Sequence, residues 1–92
     1  MCNKNIETIR FTNPDEGKRF VSLMEKYFSC DIDISTDLND RRIYDAKSLL
    51  GVLSLDLSKE LYVSPITDDK DTILRFKAII RQFQEGQRDG MD

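Results

Sequence analysis

The chain has 92 residues, 17 of them acidic and none of them histidine. Without imidazole there is no histidine acid/base catalysis, no phosphohistidine and no imidazole metal ligand. Cys2 and Cys30 are too few for a disulfide framework, and two thiols without histidine fall short of a structural zinc site. Cys30 falls between a helical and an extended stretch, and it reads as packing. Asp31 and Asp33 alternate with Ile32 and Ile34, as on a solvated strand face, which argues against an acid/base pair. Asp68, Asp69 and Asp71 lack the spacing and glycine of a calcium loop and suit a helix start instead. Four isolated glycines make no phosphate-binding loop. These absences argue against an enzyme and lead us to expect no metal and no cofactor.

One stretch departs from this polar background. Residues 45–57, DAKSLLGVLSLDL, hold five leucines, a valine and a central glycine, with Ser48 at their start. The simplest reading is a short buried helix capped by a serine, since serine is a favoured N-cap and leucine favours cores. The alternative is a surface that a partner protein reads.

The elements around it follow from periodicity. Residues 6–11 alternate as a strand, with Ile9 and Phe11 on one face. Asn13-Pro14 then opens a helix, because asparagine caps well and proline fits the first helical position. Phe20, Val21, Met24, Tyr27 and Phe28 form its expected buried stripe. Residues 31–36 and 41–46 read as two hairpin strands, 47–55 as the short helix and 61–66 as a fourth strand. A last helix starts near Asp68-Asp69 and carries Ile73, Phe76, Ile80 and Phe83 on one stripe. The order β-α-β-β-α-β-α predicts an α+β fold, an open-faced sandwich with a four-stranded antiparallel sheet and helices on one face. A ferredoxin-like sheet would give a similar order. We expect one domain over 1–84 and a polar, disordered tail over 85–92.

The net charge of −3 argues against nucleic-acid or anionic-membrane partners. No stretch has the length of a membrane span, and the first residues lack the apolar core of a signal peptide. A cytoplasmic protein is expected.

The stretch Lys47-Ser48-Leu49-Leu50-Gly51-Val52-Leu53-Ser54-Leu55 resembles a motif of the HPr family, the phosphocarrier proteins of the bacterial sugar phosphotransferase system. That motif has the form K-S-I-M-G-(V/L)-M-S-L, and the inferred element order also matches the family from residue 6 to about residue 84. The resemblance favours an HPr-like sandwich. It implies phosphorylation of Ser48 by an HPr kinase/phosphorylase. It also implies docking of protein partners on Lys47, Leu49, Leu50 and Leu53. Those partners would be a transcriptional regulator of the LacI type or a component of the phosphotransferase system.

The chain departs from the family where the phosphate-carrying histidine should stand. Pro14 falls at that position, Asp15 follows, and Glu16 falls near the family's arginine. A helix N-terminus holds phosphate through free N–H groups and a positive dipole end. Pro14 has no N–H, and Asp15 and Glu16 bring negative charge. Thr12 is the one hydroxyl at this entrance, and no phosphoryl relay is expected there. The chain resembles HPr-like proteins that lack the histidine and act in catabolite repression through the serine. A non-phosphorylated HPr-like binding module or degenerate paralogue, monomeric or homodimeric, is the alternative.

Overall fold

The computed structural model describes residues 5–36, 43–56 and 58–84. Its elements are β1 (Glu7–Ile9), α1 (Pro14–Tyr27), β2 (Ile32–Ser35), β3 (Tyr44–Asp45), α2 (Leu49–Leu53), β4 (Leu61–Pro65), α3 (Lys70–Ile80) and a 3-10 turn, Arg81–Phe83. The strands form one antiparallel sheet in the order β1-β4-β2-β3. β1 and β2, joined through α1, therefore run parallel with β4 between them. In a ferredoxin-like sheet the hairpin strand β3 takes that place; here β3 lies at the edge.

Register shows why one face is buried. Ile9 lies opposite Leu61, Ile34 opposite Val63, and Ile32 opposite Pro65. Cross-strand partners share a face, so these side chains form one apolar layer, and all are buried. Phe20, Val21 and Met24 of α1, Val52 of α2, and Phe76 and Ile80 of α3 join the same core. The opposite face carries Thr8, Tyr62, Ser64, Asp33, Ser35 and Asp45. The protein is thus α+β, with an open antiparallel sheet and three helices gathered on its apolar side.

The helix ends follow their local chemistry. Asn13 is extended (φ −161°, ψ 166°), and its Oδ1 accepts from the Glu16 amide, so α1 starts at Pro14. The chain returns to extended geometry at Phe28. Asp69 caps α3: its carboxylate accepts from the Thr72 hydroxyl at 2.6 Å and amide at 2.9 Å. Those two bonds, hydroxyl first, hold the Asp69 carboxyl below its usual range. The acidic run before α3 is therefore helix-start chemistry.

Some expectations need adjusting. Tyr27 does not belong to the α1 stripe; it is 43 % exposed, and the Lys26 ammonium lies 5.4 Å from its ring centroid. A tyrosine can keep its ring at a wet boundary where phenylalanine would be driven inward. Ile73 is half-buried. The short helix spans Leu49–Leu53, with Ser48 as its cap, in place of 47–55. Of the expected hairpin strand 41–46, Tyr44 and Asp45 are strand; 37–42 lie outside the described residues, as does the tail 85–92.

Residues 83–84, after α3, pin β1. Arg10 donates its amide to the Phe83 carbonyl at 3.0 Å. Gln84 Nε2 donates to the Thr8 carbonyl at 3.1 Å and to Glu7 Oε1 at 3.3 Å. These contacts cover the outer side of β1, which would otherwise be a bare strand edge. Phe11, Phe20 and Phe83 meet ring to ring with centroids 5.5–5.7 Å apart. Two of the three pairs are edge-to-face, the arrangement the ring quadrupole favours. Replacing Phe83 with alanine is expected to cost about 3–5 kcal/mol, the usual loss for a buried phenylalanine. That is a large share of the stability of so small a domain. A urea midpoint unchanged from wild type would remove Phe83 as the anchor.

The open face supplies a pH test. Asp33 lies opposite Asp45 across the β2–β3 pair. Burial, then Asp31, then Asp45 raise its carboxyl above the ordinary value of 3.8. A raised folded pKa means that Asp33 favours the fold while protonated. That contribution is full below 3.8 and is lost as pH rises through the folded value. Asp33→Asn stays neutral, so it should raise the melting temperature at about pH 7. The gain should be below about 1 kcal/mol, the size of cross-strand charge terms on a partly solvated face. The difference from wild type should vanish as pH falls below 3.8. An equal gain at both ends of this range would contradict the assignment.

Candidate functional site

Two places gather the residues singled out by sequence: the entrance of α1 and the capped helix α2. At the α1 entrance, Pro14 offers no N–H. The Glu16 amide donates to Asn13 Oδ1 at 3.0 Å, and Glu16 Oε1 accepts from the Thr12 amide at 2.8 Å. This reciprocal pattern is close to a capping box: the helix start is closed by its own side chains. Asp15 is exposed in the first turn. Pro14 thus offers a phosphate no donor, the Thr12 and Glu16 amides are engaged, and Asp15 and Glu16 bring negative charge to the first turn. Beside the entrance lies an open depression of about 220 Å³ lined by Phe11, Thr12, Asn13, Pro14 and Ser58.

Ser58 was not flagged by the sequence. It comes from the connection after α2 and forms a tight turn with Asp56, whose Oδ1 accepts from the Ser58 hydroxyl at 2.6 Å and amide at 3.1 Å. The hydroxyl bond is the larger cause of the lowered Asp56 carboxyl. The pattern D-x-S does spell such a turn, but nothing local tells that it will reach a helix start more than forty positions back.

The second place is α2. Ser48 is extended (φ −98°, ψ 109°) and exposed, and its Oγ accepts from the Gly51 amide at 3.3 Å. Upstream, Asp45 organises the approach: its Oδ1 accepts from the Lys47 amide at 2.9 Å and its carbonyl from the Ser48 amide at 2.9 Å. Gly51 keeps the cap open, since a Cβ there would lie 3.3 Å from Ser48 Oγ and 3.8 Å from the Tyr44 ring. At the other end, Ser54 Oγ donates back to the Gly51 carbonyl at 2.6 Å. A five-residue helix has little intrinsic stability, so these end bonds and one buried side chain hold it.

That side chain is Val52, fully buried. Helical spacing then decides the leucines. Leu50 is two positions from Val52, on the far side of the helix, and is 83 % exposed. Leu49 and Leu53, four apart, share a flank; Leu49 is 41 % exposed and Leu53 is half-buried. α2 therefore presents leucine to solvent beside an exposed serine hydroxyl.

Lys47 behaves differently from the leucines. Its side chain turns inward, and Nζ donates to the Phe28 carbonyl at 2.7 Å. That carbonyl sits at the negative end of the α1 dipole, where a cation is favoured. Arg75 of α3 reaches the neighbouring Tyr27 carbonyl at 3.4 Å. The same segment thus touches both ends of α1, with Lys47 at its C-terminus and Ser58 by its entrance. Compared with known proteins, the chain matches no family model and no curated protein.

Proposed function

We propose that this chain is an HPr-like regulatory protein that signals through α2 and does not relay phosphate. Its fold would be an HPr-like open-faced sandwich, and its setting the bacterial cytoplasm and the sugar phosphotransferase system. The observation that carries the reading is the exposure of Leu50 and Leu49 next to a solvent-facing Ser48. A short helix serving the core alone could carry polar residues at those outward positions, and here they are leucine. The antiparallel sheet and the element order support the same reading, as does the motif from Lys47 to Leu55. The α1 entrance supports the negative half. Pro14, Asp15 and Glu16 leave no histidine and no open anion cradle.

In this proposal an HPr kinase/phosphorylase transfers the terminal phosphoryl of ATP to Ser48 Oγ. The product gains roughly −1.5 to −2 charge at the rim of the leucine patch. A phosphoserine at a helix N-terminus is electrostatically tolerated, so the domain stays folded and its surface changes. The protein itself is non-catalytic here, and its partners are proteins: the kinase, and a regulator or phosphotransferase component that docks on Leu49, Leu50 and Leu53. Incubation with ATP and an HPr kinase/phosphorylase should add one phosphate, located on Ser48 by mass spectrometry and absent from Ser48→Ala. An unmodified wild-type protein would sink the regulatory reading.

Leu50 also favours a second reading, in which α2 is the contact of a homodimer. Light scattering on wild type and Leu50→Asp separates the two. A dimer that Leu50→Asp converts to monomer supports self-association, and a monomer in both cases excludes it.

A further inference from the structure

We infer that Lys47 is a positioning residue, whose ammonium latches α2 onto the C-terminal end of α1, and that a phosphate on Ser48 opens the latch. The second half rests on the proposed phosphorylation of Ser48. The first half rests on geometry alone. Lys47 Nζ lies 2.7 Å from the Phe28 carbonyl, in a half-buried contact joining residues 19 apart in sequence. The Lys47 backbone is fixed separately, by its amide bond to Asp45 Oδ1. Releasing the side chain therefore need not unravel the turn before α2.

The Phe28 carbonyl gains most from a cation. It follows the last residue of a 14-residue helix, where carbonyls lack intrahelical partners. α2 has one fully buried side chain, Val52, and the Lys47 bond is a polar contact between its approach and the end of α1. Phe28 and Phe76 meet edge-to-face at 5.9 Å, which anchors the end of α1 to α3.

Ser48 is the next residue and is exposed. Exchanging its hydroxyl proton for a phosphoryl group sets a near-dianion one residue from the Lys47 ammonium. Hydrogen bonds to an ionised acceptor are about twice as strong as those to a neutral carbonyl. The flexible four-carbon stem of lysine lets the ammonium swing between the two. The Phe28 carbonyl then loses its cap, and the helix bearing Leu49 and Leu50 loosens from α1. Phosphorylation would thereby change the position of the docking surface as well as its charge.

The test uses protein with phosphoserine placed at position 48 during translation, so no kinase is needed and a failed kinase reaction does not bear on it. Hydrogen exchange is followed in residues 24–30 and 47–55 of wild type, the phosphoserine protein, Lys47→Met, Lys47→Arg and the phosphoserine protein carrying Lys47→Met. Lys47→Met and phosphoserine should each speed exchange at the same amides by roughly tenfold, the scale of a lost charged hydrogen bond. The combination should be no faster than either alone, and Lys47→Arg should stay near wild type. Wild-type exchange in Lys47→Met would overturn the latch. A full phosphoserine effect on top of Lys47→Met would overturn its opening by phosphate. Should Lys47→Met fail to fold, the phosphoserine protein still decides, because unchanged exchange at 24–30 overturns the proposal.

Discussion

The sheet has a single apolar face, and three helices must share it. Ile9, Ile32, Ile34, Leu61 and Val63 make that face, and period-two alternation leaves the other face polar. α1 and α3 cover most of it with Phe20, Met24, Phe76 and Ile80. The five-residue α2 has room to bury one residue fully, Val52. Five residues make less than a turn and a half, so the remaining positions cannot all face inward. The exposure of Leu50 is thus a geometric consequence of a short helix on an already covered sheet. What needs a further reason is that those positions hold leucine, which a purely structural helix could replace with polar residues at little cost.

The two ends of α1 show opposite solutions to one electrostatic problem. Its N-terminus is positive, and Asn13, Asp15 and Glu16 neutralise it from within the same stretch of chain. Its C-terminus is negative; besides Lys26 in its own last turn, it is met by cations from other segments, Lys47 from the approach to α2 and Arg75 from α3. The first solution consumes a potential anion site. The second ties three helices together at one point. A change at the first end would stay local to α1, whereas a change at the second is felt by α2.

This contrast also explains what was legible in the sequence. Asn13-Pro14 and Asp69 announce helix starts because capping acts over three residues. The alternation in 31–36 and 61–66 announces the buried face because strand geometry is strictly periodic. Leucine spacing in 49–53 did not tell core from surface, since that depends on how much of the sheet the other helices already cover. Tyr27 fitted the apolar stripe by spacing, yet its position at the last residue of α1 leaves it at the wet boundary. The reach of Lys47 to Phe28 and of Ser58 to the α1 entrance are products of tertiary placement. No local pattern carries them.

Lys47 changes what the short motif means. Read as sequence, lysine, serine and the leucines form one contiguous surface for a partner. In the structure the lysine is drawn inward while its neighbours face out. At α2 the Ser48 hydroxyl, Leu49 and Leu50 are the groups that face solvent. In the proposed phosphorylated form, negative charge would lie beside that apolar centre, and such a surface is complementary to a groove rimmed by cations. A partner suited to the phosphorylated form should therefore bind through basic residues around an apolar pocket, and binding should weaken with salt.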